Sequence, residues 1–141
     1  MSHLERFAAY AAAFEESYAD DNWQRLEQYF TEDAVYLPGD GTEAVGRDNV
    51  FAALRNSING LDRRFDSRGF GNMPDPTEEG DVVTLNWVLI FTKQGAPDLT
   101  ISGVERLNFD GDRISRMEDI FDNGVMDNVG AWMAEHGESL N

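Results

Sequence analysis

The sequence predicts an α+β fold in which helices come first and an antiparallel sheet follows. Up to residue 60, apolar side chains recur every three or four positions, which is the spacing of one helix face. Beyond residue 60 the spacing changes to alternation, in segments rich in β-branched and aromatic residues. The chain has 141 residues and contains no internal repeat or low-complexity stretch, so we expect a single domain, 1–141.

Four helical segments are predicted from this spacing and from the residues at their ends. Ser2 followed by Glu5 resembles a capping box at the start of the first helix. Gly60 is typical of a residue that ends a helix. The predicted segments are 2–19, a short one over 23–30, 48–59 and 124–135.

Five strands are predicted from the alternation and from turn residues. Segment 82–92 is apolar at both alternating sets of positions, so it is expected at the centre of the sheet, buried on both sides. Turn-forming residues at 93–97 and 110–112 are expected to join the last three strands as hairpins. The predicted strands are 34–37, 64–73, 82–92, 99–109 and 113–121.

Composition excludes several classes of function. With 27 acidic and 11 basic residues the net charge is −16, which repels phosphate and anionic lipid, so we expect neither a nucleic-acid nor a membrane partner. Cysteine is absent, and both histidines, His3 and His136, lie near the chain ends, which argues against a metal site and against a Ser-His-Asp triad. Chemistry must then depend on Asp, Glu, Tyr, Arg or amide side chains, and no metal or cofactor is expected.

The apolar run 7–14 is interpreted as a helix face. It lacks the basic start and Leu-rich centre of an export signal, and it is far too short to span a membrane. We therefore expect a cytoplasmic protein without a cleaved segment.

Two carboxylates fall on strand faces that are expected to point inward. Glu105 lies in the middle of the apolar set of strand 99–109. Asp119 is flanked on its own face by Met117 and Phe121. Burial raises the pKa of a carboxyl, and two such groups close together titrate as a pair that can divide the roles of acid and base. The alternative is structural: such acids often bind a backbone N–H or an arginine.

The register of the last hairpin decides how the two carboxylates meet. A three-residue loop places Glu105 opposite Met117 and makes Asp119 its diagonal neighbour, about 7–8 Å away between Cα atoms. Gly103 then lies opposite Asp119 and leaves space beside it. A two-residue turn would shift the register by one and put Glu105 into a surface ion pair with Arg116. The hydrophobic pattern favours the three-residue loop.

Other polar residues are weaker candidates. Asn86 on strand 82–92 and Tyr36 on strand 34–37 carry groups that orient a carbonyl or hydroxyl of a substrate, although satisfying a neighbour is the more frequent use of such groups. Arg64 and Arg68 are candidate structural partners of the two acids.

Four strings in this order, at 23–36, 46–50, 109–114 and 118–122, resemble the nuclear transport factor 2-like superfamily, most closely its SnoaL-like polyketide cyclases and limonene-epoxide hydrolases. The resemblance implies a curved antiparallel sheet, closed by helices into a cone around one deep apolar pocket. The implied class of activity is chemistry on a small molecule held in that pocket.

The resemblance also assigns individual positions. Asp119 matches the catalytic aspartate of the epoxide hydrolases, and Tyr36 matches the tyrosine that helps to hold their attacking water. Asn86 and Val88 stand where those hydrolases have an arginine and a second aspartate. Compared with ketosteroid isomerase, Glu105 matches an oxyanion-binding acid. In the same comparison Phe14 replaces the oxyanion-binding tyrosine, and Pro38 replaces the general base.

We therefore expect a cofactor-independent acid/base enzyme of the isomerase, cyclase or dehydratase type, acting on a small, largely apolar molecule. The expected catalytic residues are Asp119 and Glu105. The expected substrate-binding residues are Tyr36, Asn86, Met117, Phe121, Phe14 and Val88. Two alternatives remain open: a ligand-binding domain without catalysis, and a dimerisation module whose pocket is vestigial. The outer face of strand 113–121, with Ile114 and Ile120 beside charged residues, predicts a homodimer.

Overall fold

The computed structural model describes residues 2–140 as three α-helices packed on a seven-stranded sheet. The helices are α1 (His3–Asp20), α2 (Arg47–Gly60) and α3 (Val125–His136). The strands are β1 (Phe30–Leu37), β2 (Ala44–Val45), β3 (Ser67–Phe70), β4 (Thr77–Glu79), β5 (Val82–Thr92), β6 (Leu99–Asp110) and β7 (Arg113–Phe121). Short 3-10 helices occupy Gln24–Tyr29, Asp62–Arg64 and Gly137–Leu140. The predicted α+β class is confirmed.

The sheet is curved and open, with the strand order β2-β1-β7-β6-β5-β3, and β4 also pairs with β5. All neighbours are antiparallel except β1 and β7, which run parallel. The chain therefore places β1, which follows the first helices, beside the last strand. This pairing brings Tyr36 of β1 level with Met117 of β7.

Helix α1 begins at the predicted capping box. The Ser2 hydroxyl accepts a hydrogen bond from the backbone N–H of Glu5 at 3.1 Å, and the Glu5 carboxylate accepts one from the backbone of Ser2. The helix buries Phe7 and Tyr10 against the concave face of the sheet, within the main hydrophobic core. A second core lies under α3, where Trp132 packs against Phe65.

Two predictions about strands need correction. The segment predicted as strand 64–73 forms only the short β3, because a 3-10 helix occupies Asp62–Arg64 and the chain turns away after Phe70. Strand β5 is not buried on both sides: the outward-pointing Asn86 is exposed, and Val88 and Ile90 are only half-buried. On that face the Val88 side chain lies close to Gly71.

The β6–β7 hairpin has a different register from the one predicted. Its turn has two residues, because Asp110 pairs with Arg113. A bulge then places Ser115 as one extra residue in β7, where its hydroxyl donates to the Asn108 carbonyl at 3.2 Å. The extra residue returns the side chains of β7 to the predicted face, so Glu105 lies directly opposite Asp119 and not opposite Met117.

The bulge also gives Ile114 and Gly103 surroundings that differ from those predicted. Ile114, expected on the outer face, is completely buried, while Ile120 is 41% exposed. Gly103 pairs with Phe121 and not with Asp119. Gly103 leaves no space, since a Cβ there would lie 2.8 Å from the Trp87 ring.

Among residues 2–140, no helix is long and apolar enough to cross a membrane.

Candidate active site

A cavity of about 330 Å³ lies between the concave face of the sheet and the three helices. This volume is within the range of small-molecule sites. The walls are mostly apolar and aromatic, and they contain two clusters of polar side chains. The first polar cluster is formed by β1, β6 and β7, and the second by α1, β3 and the 3-10 turn before β3. The lining residues include Tyr10, Phe14, Glu15, Tyr36, Asp62, Arg68, Trp87, Glu105, Asp119 and Phe121.

The first polar cluster is a pair of carboxyl groups, Glu105 and Asp119, with a tyrosine hydrogen-bonded to it. The two acids face each other on adjacent strands, and their side chains are hydrogen-bonded to each other. The hydroxyl of Tyr36 donates to Oδ2 of Asp119 at 2.6 Å. Tyr36 is 5% exposed. No arginine or lysine pairs with either acid among the described residues, so the sheet builds this acidic pair without a counter-charge.

Burial controls how the pair titrates. Loss of solvation raises the pKa of Glu105 well above its ordinary value, and the neighbouring charge of Asp119 raises it further. Burial also raises the pKa of Asp119, but hydrogen bonds from Glu105 and Tyr36 to its charged form lower it part of the way back. Glu105 is therefore the member of the pair that holds its proton more tightly, and Asp119 is the member whose charged form is stabilised by hydrogen bonds.

Two tyrosines near the pair remain protonated. Burial raises the pKa of Tyr36 and of Tyr10 well above the ordinary value, and the carboxylates raise both further. The Tyr10 hydroxyl contacts the sulfur of Met117 at 3.6 Å. Met117 is almost completely buried and lies behind the cavity wall in the main core. It is therefore not among the cavity-lining residues, which corrects its prediction as a substrate contact.

The other predicted residues divide between the two faces of the sheet. Phe14 and Phe121 line the cavity together with Tyr36. Asn86 and Val88 do not, and their prediction as substrate-binding residues needs correction. Side chains alternate along β5, so Leu85, Trp87 and Leu89 line the cavity while Asn86 and Val88 point to the outer face. There, Val88 contacts the chain around Gly71.

The second polar cluster was not predicted from the sequence. The Arg68 guanidinium donates to both carboxylate oxygens of Glu15, at 2.5 and 2.7 Å, and to Oδ2 of Asp62 at 3.0 Å. Arg68 was considered only as a partner of the catalytic pair. Its real partners come from α1 and from the turn after α2, and no local spacing in the sequence links these segments.

Asp119 also lies at the edge of a wider groove of about 680 Å³ that is open to solvent. The groove is bounded by residues 37–43 and 118–127. Gly39 forms part of the wall between the groove and the cavity, with a φ of +95°. A Cβ at Gly39 would lie 2.8 Å from the backbone oxygen of Asp119 and 2.9 Å from the Phe121 ring.

Within residues 2–140 no group of three or more His, Cys, Asp and Glu side chains is arranged to hold a metal ion. The acidic pair contributes two carboxyl groups, and the tyrosine beside it supplies a proton donor. The arrangement can accept and return a proton inside an apolar cavity.

Several solved structures share this fold. A nuclear transport factor 2-like protein of unknown function from Burkholderia pseudomallei is 16% identical, with 89% of this chain and 95% of that chain covered and a TM-score of 0.64. A candidate SnoaL-like polyketide cyclase from Shewanella putrefaciens is 14% identical, with 96% and 99% covered and a TM-score of 0.67. A cystatin-fold protein from Novosphingobium aromaticivorans is 22% identical, with 85% and 98% covered and a TM-score of 0.60.

At these identities the likeness shows the fold, and it agrees with the superfamily that the sequence resembles. No curated protein matches the chain. Residues 8–117 match the SnoaL-like domain, a range that covers most of α1, all of α2 and most of the sheet and ends two residues before Asp119. The chain therefore belongs to the SnoaL-like domain family.

Proposed function

We propose that this protein is a cofactor-independent acid/base enzyme that isomerises, cyclises or dehydrates a small, largely apolar molecule. One observation carries the proposal. Asp119 lies on the wall of an apolar cavity, is hydrogen-bonded to Tyr36 and Glu105, and has no cationic partner among the described residues. The SnoaL-like family supports the coarser class of small-molecule chemistry.

The protonation states define the role of each group. Asp119, whose charged form accepts hydrogen bonds from Glu105 and Tyr36, is the base that removes a proton from a carbon or hydroxyl of the substrate. Glu105 keeps its proton and donates to Asp119, which tunes the basicity of that carboxylate. Tyr36 donates to the same carboxylate and orients it. Because its proton is already used, Tyr36 acts on Asp119 and not, as expected from the sequence, on a substrate oxygen.

The apolar walls supply the rest of the catalytic environment. Phe14 and Phe121 line the cavity and reduce the solvation of the charged carboxylate, and a proton taken by Asp119 is either returned to the substrate or exchanged with solvent. Return to a different atom gives an isomerisation, and delivery to a leaving hydroxyl gives a dehydration. Both reactions require one group that alternates between base and acid, and Asp119 is the group placed to do so.

Deuterium exchange tests this proposal without knowledge of the natural substrate. A panel of monocyclic and bicyclic ketones is incubated with the protein in D₂O, and incorporation of deuterium beside the carbonyl is followed by NMR. We expect the wild-type protein to accelerate exchange of at least one ketone, and Asp119→Asn to lose about 100-fold or more of that rate.

Glu118→Gln is the matched control. Glu118 precedes Asp119 on β7, and its carboxylate is 3.8 Å from the Arg116 guanidinium, outside the cavity. Its replacement removes one negative charge from the same strand and should leave the exchange rate within about twofold of wild type, since the charge is screened by solvent. A ketone that binds in the cavity but exchanges no faster than with Asp119→Asn would contradict the enzyme and favour a binding domain.

We also propose a homodimer in the cytoplasm, as expected from the sequence. The outer face of the sheet retains exposed apolar side chains at Val45 (54% exposed) and Ile120 (41%). Ile114, which is buried, does not contribute to this face. Apolar side chains bordered by charged residues such as Arg116 and Glu118 are typical of the rim and core of a protein interface.

A further inference from the structure

The charges that line the cavity are unequal. Four carboxyl groups reach it, on Glu15, Asp62, Glu105 and Asp119, against a single guanidinium, that of Arg68. In the part of the chain that the structure describes, no lysine and no second arginine lines the cavity. An anionic ligand would therefore depend on Arg68 for a partner.

Arg68 is not available to such a ligand. Its side chain is 6% exposed, and that of Asp62 is 7% exposed. Both terminal nitrogens of the guanidinium already donate to carboxylates, one to Asp62 and the other to both oxygens of Glu15. The ring of Tyr18 lies 4.4 Å from the guanidinium carbon and covers one face of it. One guanidinium is thus shared by two carboxyl groups, and burial raises the pKa of Asp62.

Neither the rest of the cavity nor the groove beside it is lined by a further lysine or arginine of residues 2–140. The Glu105–Asp119 pair has no cationic partner among the described residues. The open groove beside Asp119 is lined by the carboxylates of Glu43, Glu118 and Asp122 and by no lysine or arginine of residues 2–140. A carboxylate or phosphate placed in the cavity would lose its hydration and lie among carboxyl groups without a free cation of residues 2–140.

We propose that the substrate of this cavity is uncharged, a ketone or alcohol without a carboxylate or phosphate group. In this proposal Arg68 stabilises the cavity wall through its contacts with Glu15 and Asp62 and does not bind an anion. This inference rests on the proposed function, because it takes the cavity as the substrate site. It narrows the substrate class by charge. It also assigns Glu15 a role in specificity: by occupying Arg68, Glu15 keeps the one cation of the cavity from attracting acids.

Two probes of nearly the same shape test the proposal by binding alone. In 2-acetylnaphthalene a methyl ketone takes the place of the carboxylate of 2-naphthoate on an identical ring system. Binding to the wild-type protein is measured at pH 7 and constant ionic strength by NMR titration of the probe protons. We expect the ketone to bind about tenfold or more tightly than the carboxylate. Equal affinities would overturn the inference.

A variant pair tests the role of Glu15. Glu15→Gln removes one of the two charges that occupy Arg68, so the affinity for 2-naphthoate should rise about fivefold or more while that for the ketone stays the same. Glu16→Gln makes the same change in net charge on the exposed side of α1, next to Arg25, and should change neither affinity by more than about twofold. Equal gains in both variants would assign the effect to overall charge and overturn the role of Glu15.

The outcomes separate this inference from the proposed function. If the ketone binds selectively but no ketone undergoes deuterium exchange, the charge selection stands and the catalytic proposal fails. If exchange occurs and both probes bind equally, the catalytic proposal stands and the charge selection fails. If neither probe binds at millimolar concentration, the charge selection fails for a two-ring ligand, and the catalytic proposal is decided by the deuterium exchange of the ketone panel alone.

Discussion

Replacing Glu105 with glutamine should make the protein more stable at neutral pH and change nothing at acidic pH. Burial raises the pKa of Glu105 in the folded protein well above its ordinary value, whereas in the unfolded chain the group has a pKa near 4.3. Between these two values the folded state holds one proton that the unfolded state has released. The folding free energy therefore becomes less favourable as pH rises through this window.

The magnitude follows from that single proton. One extra proton in the folded state lowers the stability by about 1.4 kcal/mol for each pH unit within the window. Glutamine has nearly the shape of protonated glutamate and keeps an N–H to donate to Asp119, but it has no proton to lose. Relative to wild type, Glu105→Gln should therefore gain about 1.4 kcal/mol per pH unit above pH 4.3, until the pH reaches the folded-state pKa of Glu105.

Urea unfolding of both proteins at pH 4, 5, 6 and 7 measures this difference. Glu118→Gln is measured beside it, because it removes the same group from the outer face of the neighbouring strand. A stability difference for Glu105→Gln that stays constant with pH, or that equals that of Glu118→Gln at every pH, would refute the protonation state assigned to the pair. The same variant should keep ketone exchange within about tenfold of wild type, since Asp119 remains the base.

Three further predictions concern the tyrosine, a glycine and the assembly. Tyr36→Phe leaves the carboxylate of Asp119 without its 2.6 Å donor, so it should cost about 1–3 kcal/mol of stability in urea unfolding and move the lower limb of the pH–rate profile to higher pH. Gly39→Ala should cost about 1–3 kcal/mol more than Gly41→Ala, because both residues have positive φ (+95° and +89°) but only a Cβ at Gly39 meets other atoms within 4 Å; equal losses would remove the packing argument. Light scattering at micromolar concentration should give twice the chain mass of 15.8 kDa, and Ile120→Glu should shift the mass toward the monomer; a monomeric wild type would contradict the dimer.

Much of the fold could be predicted because the relevant information is local. The three-to-four spacing over 2–19 and the capping residues Ser2 and Glu5 specify α1 wherever it packs, since both depend on contacts within a few residues. Alternation likewise placed Glu105 and Asp119 on one face of neighbouring strands, because side chains of a strand point to opposite sides in turn. The resemblance to the nuclear transport factor 2-like superfamily supplied the arrangement of these elements, which spacing alone does not.

The errors have one common physical cause, namely that faces and registers depend on what packs against a strand. Alternation showed that Asn86 and Trp87 point to opposite sides, but both sets of positions in β5 are apolar, so the face that lines the cavity depends on where the helices pack. The turn residues at 110–112 were compatible with several loops, and the bulge at Ser115 is stabilised by its contact with Asn108 in the partner strand.

The sequence by itself therefore determined the class of fold, the order of the elements, the absence of thiol chemistry and the two acids on a common strand face. Only the tertiary structure decided that Glu105 and Asp119 lie directly opposite each other, that Tyr36 holds Asp119, and that Arg68 is occupied by Glu15 and Asp62. These contacts join residues 6 to 83 positions apart, from four different strands, one helix and a turn. The free energy of such contacts depends on burial and distance in the folded chain, and neither quantity follows from the spacing of residues along the sequence.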